Sequence, residues 1–243
     1  MFIGNSKGGV LVKANDLPFI GTPDRTATWH PVSHHGMVTL LKAKIASVGL
    51  EILNEGYSVA KEGLDLFGVF DFAGTPDIGI AAGFSMGFRH SNAKRFAIQM
   101  VAGARVFVCS NLCFSGEMIT LKRKHTSGLN LRAEINMAVD RYLSKSAQLE
   151  ESIIVMQQTE VSEDGVKSFL LDSVVQGVMP QALLIPSYSN YFEPQAEDCA
   201  PRNAWGVHNA VTRAIRDSNL VDTSKFDATV KIGSAIRALT RKA

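Results

Sequence analysis

Residues 78–126, IGIAAGFSMGFRHSNAKRFAIQMVAGARVFVCSNLCFSGEMITLKRKHT, decide how the chain folds. Ile78, Ile80, Ala82, Phe84, Met86 and Phe88 alternate with Gly79, Ala81, Gly83, Ser85, Gly87 and Arg89, the period of a strand with one buried face. The small residues of the second face leave the backbone open to a packed helix or to a ligand, and a helix is the commoner cover for a sheet. Ser91 or Asn92 is placed to cap a helix over residues 93–101, with Ala93, Phe96, Ala97, Met100 and Val101 as its buried stripe and Gly103 as its stop. Residues 105–109 then read as a compact strand, and residues 118–126 as another. In the latter, Lys122, Lys124 and Thr126 share one face while Arg123 and His125 share the other.

Working outward, residues 57–61 and 64–72 read as short strands joined by a hairpin turn at Glu62 and Gly63. Before them Val38, Leu41, Ile45, Val48 and Ile52 recur at helical spacing. This predicts a helix from Gly36 to about residue 54, with Gly49 tolerated inside it at ~1 kcal/mol. Residues 1–35, with Pro18, Gly21, Thr22, Pro23 and Asp24 as a turn cluster, read as an arm laid over the domain. After Gly128 the pattern is helical, over residues 131–142, 149–158 and 166–176, then 204–217 and about 224–239. Between these groups residues 178–202 carry Pro180, Pro186, Pro194 and Pro201 and read as a long connection of the functional or mobile kind. The expected fold is α+β: a mainly antiparallel sheet over about residues 57–126, packed by N-terminal and C-terminal helices. Its parts are an arm over 1–35, an α+β core over 36–146 and a helical part over 147–243 packing on that core.

A length of 243 residues with 46% hydrophobic and 20% charged content suits a folded chain with a sizeable core, not a disordered one. The net charge of +2 makes no case for nucleic acid by itself, so any electrostatic argument rests on where the charges lie. Three cysteines without a framework of spacings fit a reducing compartment. The first residues lack the apolar core of a signal peptide, and no apolar window reaches a membrane-spanning length. A cytoplasmic location is the expectation.

Charge is concentrated in the deciding stretch. Seven basic residues, Arg89, Lys94, Arg95, Arg105, Lys122, Arg123 and Lys124, stand there against one acid, Glu117. If the outward side of the Ala93 helix and the Lys122 face share a surface, they form a groove able to neutralise phosphates, with Ser91, Asn92 and Asn111 as further donors. A solvated basic face with no partner is the plain alternative. Base-stacking partners are not evident, because Phe88 and Phe96 sit on the expected core side. Cys109, Cys113, His90 and His125 are types that ligate zinc, yet a structural zinc site normally shows a second close pair, and the sequence has none. A Cys109 nucleophile would need His90 or His125 as base and Asn111 as orienter, and no signature of such catalysis is present. The run GNSKGG at residues 4–9 lacks the Lys-Ser/Thr ending of a phosphate-binding loop. No catalytic set, cofactor or metal is expected.

Residues 88–116, FRHSNAKRFAIQMVAGARVFVCSNLCFSG, followed by KRKHT at 122–126, resemble the phage and plasmid-like family called domain of unknown function 932. NAWGVHNAVTRAI at 203–215 is similar to the late Trp-x-x-x-Asn-Ala-x-Thr helix of that family. The resemblance covers residues 29–215 or so and makes His90, Ser91, Asn92, Arg105, Cys109, Asn111, His125, Thr126, Trp205, Asn209 and Thr212 the motif positions. The turn at Arg89 to Ala93 departs from the commoner Asn-Ser-His-Asp-Gly form, so no role of that acid carries over. What the resemblance implies is context: genes of phages, prophages and conjugative elements in a bacterial host, often beside genes for recombination and single-strand binding.

The expected function is therefore a non-enzymatic nucleic-acid-binding accessory protein of a mobile element, with single-stranded DNA the favoured partner and a homo-oligomer plausible. The expected contact residues are Arg89, His90, Ser91, Asn92, Lys94, Arg95, Arg105, Asn111, Lys122, Lys124 and His125. The alternative is a small-ligand binder or Cys/His enzyme of counter-defence built on His90, Cys109, Asn111 and His125, with the glycine face of the long strand as its floor.

Overall fold

The structure, a computed structural model, describes residues 9–73, 82–106, 111–220 and 222–240, with backbone alone at 82–84, 102, 104–106, 111–119, 146–147, 149, 198 and 222–226. Among these residues one six-stranded antiparallel sheet runs in chain order. Its strands are β1 (Gly9–Val12), β2 (Ile52–Ala60), β3 (Asp65–Phe72), β4 (Ala82–Ser91), β5 (Ile98–Val106) and β6 (Asn111–Arg123). Helix α1 (His34–Ser47) lies between β1 and β2, and after β6 come α2 (Leu131–Gln158), α3 (Glu163–Val175), α4 (Leu184–Phe192), α5 (Ala204–Asp217) and α6 (Asp222–Thr240). The fold is α+β, as the alternation in the deciding stretch implies. None of the described helices is long and apolar enough to cross a membrane.

The β2–β3 hairpin forms where expected, with Ala60 paired to Asp65. Its loop is wider than a two-residue turn: Lys61, Glu62 and Gly63 all take positive φ, at 53°, 57° and 85°. The end of the arm contributes more than a cover, since β1 is an edge strand of the sheet, pairing Gly9 to Ala60 and Val12 to Tyr57.

Several local expectations are corrected. Helix α1 stops at Ser47, and Ile52 opens β2. Gly49 is the stop and not an interior residue: it takes φ +77°, its N–H donates to Ala46 O, and the Leu50 N–H donates back to Ile45 O, the paired bonds of a left-handed helix terminus. No helix covers residues 93–101; a turn over 92–97 leads into β5, whose Phe88↔Met100 and Arg89↔Gln99 pairs continue the sheet. A short apolar run fits both periods, and pairing with β4 decides for the strand. Residues 178–202 hold the short helix α4, with Pro186 in its first turn, where a missing N–H is harmless, and single 3₁₀ turns on either side. The two helices expected over 131–158 are one, because nothing between Tyr142 and Leu149 breaks a helix.

One contiguous core joins the inner sheet face to the helices: Tyr57, Leu66, Phe70, Met86, Phe88, Met100 and Leu121 pack with residues such as Leu41, Ile45, Ile135, Tyr142, Trp205, Val211 and Ile232. Gly68 makes room in it, since a Cβ there would collide with the Phe88 ring. The small-residue face of β4 is also buried at Ser85 and Arg89. There Ser85 Oγ donates to Asp71, and the Arg89 guanidinium reaches Asp227 of α6 at 2.8 Å, so a helix covers this face at Arg89.

Candidate functional site

The β4–β5 turn is built around one buried carboxylate. Asp65, at the start of β3, accepts from Ser91 Oγ at 2.6 Å and from the Arg95 guanidinium at 2.5 Å. Ser91 Oγ in turn accepts from the N–H groups of Ala93 and Arg95, which is why a residue suited to cap a helix caps a turn instead. The Asn92 side chain accepts from Val32 N–H at 3.0 Å and donates to Val32 O at 2.9 Å, clamping the N-terminal arm as a paired strand would. Within this turn Lys94 takes φ +61°, a left-handed conformation unfavourable for a side chain.

Behind the turn lies a chain of three histidines. His34 at the start of α1, His90 on β4 and His125 after β6 have 2%, 0% and 5% of their surface exposed. His34 Nε2 is 2.7 Å from Gly63 O, His34 Nδ1 is 2.9 Å from His90 Nε2, and His90 Nδ1 is 3.3 Å from His125 Nε2. Burial disfavours the charged ring in each case: it pushes His125 down to about 4 and His90 well below the ordinary imidazole value. His34 is also lowered, against the opposing pull of the Gly63 carbonyl and Asp65.

With neutral rings the tautomers are determined. The Gly63 carbonyl only accepts, so His34 Nε2 carries the hydrogen and Nδ1 accepts from His90 Nε2–H. His90 Nδ1 must then accept from His125 Nε2–H. The rings meet nitrogen to nitrogen and do not converge on a point. Among the described residues no group of three or more His, Cys, Asp or Glu side chains is arranged to hold a metal ion.

His125 ends this chain in the wall of an open cleft of about 460 Å³, lined also by Trp29, Lys94, Arg95, Phe96 and Lys124, with Thr28 and Thr126 at its sides. The arm is pinned along this wall: Trp29 forms a β-bridge with Thr126, and His30 N–H donates to His125 O. The Lys94 ammonium lies 4.8 Å from the centre of the Trp29 ring, a cation–π contact. Since Arg95 is paired with Asp65, the net positive charge of the cleft rests on Lys94 and Lys124.

Of the residues expected at a contact surface, Lys94, Arg95, Lys124 and His125 are brought together. Arg89 is not a surface contact: it is buried, hydrogen-bonded to Gln99 and Asp227, and lies over Phe96 at 4.9 Å. His90, Ser91 and Asn92 are buried with internal partners and form the frame behind the cleft. Lys122 is exposed on β6 outside the cleft lining. Arg105 and Asn111 hold register in β5 and β6, pairing with Leu112 and Val106, and their side chains lie outside the described ones. Cys109 lies outside the described residues, and so does the side chain of Cys113. Trp205, Asn209 and Thr212 are buried in α5, with Thr212 Oγ1 donating to backbone carbonyls at His208 and Asn209.

Sequence reasoning misses Trp29 and His34 and assigns Phe96 to the core. An exposed-type aromatic in a polar arm is the signal that points to Trp29. His34 directly succeeds the Ser33 cap of α1, a position that gives no hint of a partner on β4. No family model, no curated protein and no solved structure matches the chain.

Proposed function

We propose that the chain is a non-enzymatic accessory protein of a phage or plasmid-like element that binds single-stranded nucleic acid in the Trp29–Lys94–Lys124 cleft. The observation that carries this reading is the joining of an indole and two net cations in one open cleft of about 460 Å³. Cations that track a backbone and aromatic rings that stack bases are the two parts of sequence-tolerant single-strand binding. The strained φ of Lys94 supports it, since a left-handed lysine costs stability and holds its ammonium at the cleft. A cleft of nucleotide size offers no element that would enter the groove of a duplex. The mobile-element context comes from the motif resemblance alone.

Fluorescence-anisotropy titration of labelled single-stranded DNA, duplex DNA and RNA at two salt concentrations tests the proposal. Single strands should bind more tightly than duplex, and Lys94→Glu/Lys124→Glu should weaken them by about tenfold or more. Equal binding by wild type and the double variant, or binding to no strand, would overturn it.

A further inference from the structure

The histidine chain fixes the chemistry of one point in the cleft. His34 and His90 use both ring nitrogens within the chain, and His125 uses Nε2 as a donor, which leaves Nδ1 of His125 as a bare lone pair. Among the described residues the ring nitrogen sealed from solvent without a partner is Nδ1 of His208, and not this one. His125 lines the cleft. Turning His125 to present an N–H instead would require all three rings to reverse, ending with a second acceptor against the Gly63 carbonyl. The acceptor character at the cleft is thus set by a backbone carbonyl two rings away.

An acceptor in a cleft lined by Lys94, Arg95 and Lys124 matches a ligand that carries a donor next to its negative charge. A phosphodiester has no proton to donate. The groups adjacent to phosphate in a nucleic acid that do are sugar hydroxyls, while the donors of the bases lie on the base edges, beyond the sugar.

We infer that the cleft seats a nucleotide whose free sugar hydroxyl donates to Nδ1 of His125, the lysines holding the neighbouring phosphate. The hydroxyl has two sources, the 2′-hydroxyl along a ribonucleotide strand and the 3′-hydroxyl at the end of a deoxyribonucleotide strand. The inference rests on the reading of the cleft as a nucleic-acid site and deepens it. Burial of the three rings, which keeps them neutral, agrees with an acceptor at neutral pH.

The test compares four labelled oligonucleotides of one sequence on the wild-type protein: RNA, 2′-O-methyl RNA with a 3′-dideoxy end, DNA with a 3′-hydroxyl, and DNA with a 3′-dideoxy end. Removing the hydroxyl that is read should weaken binding by about tenfold, the usual effect of leaving a buried-edge acceptor unpaired. A drop from RNA to its methylated form alone assigns the 2′-hydroxyl, and a drop between the two DNA strands assigns the 3′ end. His125→Phe, which removes the acceptor at similar shape, should bind all four at the weaker level. Wild-type binding of all four within twofold overturns the inference while leaving single-strand binding intact, as does discrimination that persists in His125→Phe. Binding to none of the four overturns the nucleic-acid reading and this inference with it.

Discussion

At the scale of single residues, the buried ionisable groups give the sharpest expectations. His125 and His208 are each held to about 4, and His34 and His90 are lowered too, chiefly by burial. In the unfolded chain they titrate near the ordinary imidazole value of 6.5, so between these values the unfolded state binds more protons and stability rises with pH. The contribution is complete above about 6.5 and is lost as pH falls toward 4. Thermal denaturation should show Tm falling by several degrees between neutral pH and about 5, and a flat profile would contradict the neutral buried chain. Asp65 is the other keystone, because Ser91 and Arg95 both depend on its carboxylate. Asp65→Asn should cost about 2 kcal/mol in chemical denaturation and weaken the turn that presents Lys94.

At the scale of elements, the turn between β4 and β5 sets strain against use. Lys94→Gly should relieve the left-handed backbone and raise stability by up to about 1 kcal/mol, while weakening single-strand binding. A variant that loses stability, or gains it without losing affinity, would separate Lys94 from the cleft. In the core, Gly68→Ala should cost about 1–3 kcal/mol by forcing the Phe88 ring out of place. The alternation read from Ile78 to Phe88, of which 78–81 lie outside the described residues and the rest forms β4, and the hairpin after Ala60 are legible in the sequence at this scale, because those patterns are local. Ala93 to Val101 cannot be settled locally. Its apolar residues suit a helix, and only pairing with β4, backed by the diversion of Ser91 and Asn92 to Asp65 and Val32, makes the segment a turn and a strand. Gly49 is visible as a weak point, but whether a glycine interrupts or ends a helix depends on the next residues, here on the Leu50 N–H returning to Ile45.

At the scale of the whole molecule, the α+β class and the helices α3, α5 and α6 are legible from hydrophobic period, whereas the continuity of α2, the helix α4 and the site are not. The basic excess near Arg89 to Lys124 is evident in the sequence, but it divides in space: Arg89 turns inward to Asp227 and Lys122 stands apart on β6. Lys94 and Lys124 line one cleft instead, beside the N-terminal arm that lays Trp29 against Thr126. Contacts between segments so distant in sequence leave no periodic trace, and the same holds for His34 meeting His90. The site is therefore a product of topology, set by a meander whose last strand ends beside the arm.

The most direct measurement is the salt dependence of single-stranded DNA affinity for wild type, Lys94→Gln, Lys124→Gln and Lys122→Gln. If the cleft neutralises phosphates, each of the first two variants should reduce the slope of log K against log salt by about 0.7, and Lys122→Gln should leave it near the wild-type value. A slope lost with Lys122 and unchanged by Lys94 and Lys124 would place binding on the outer face of β6 and contradict the cleft.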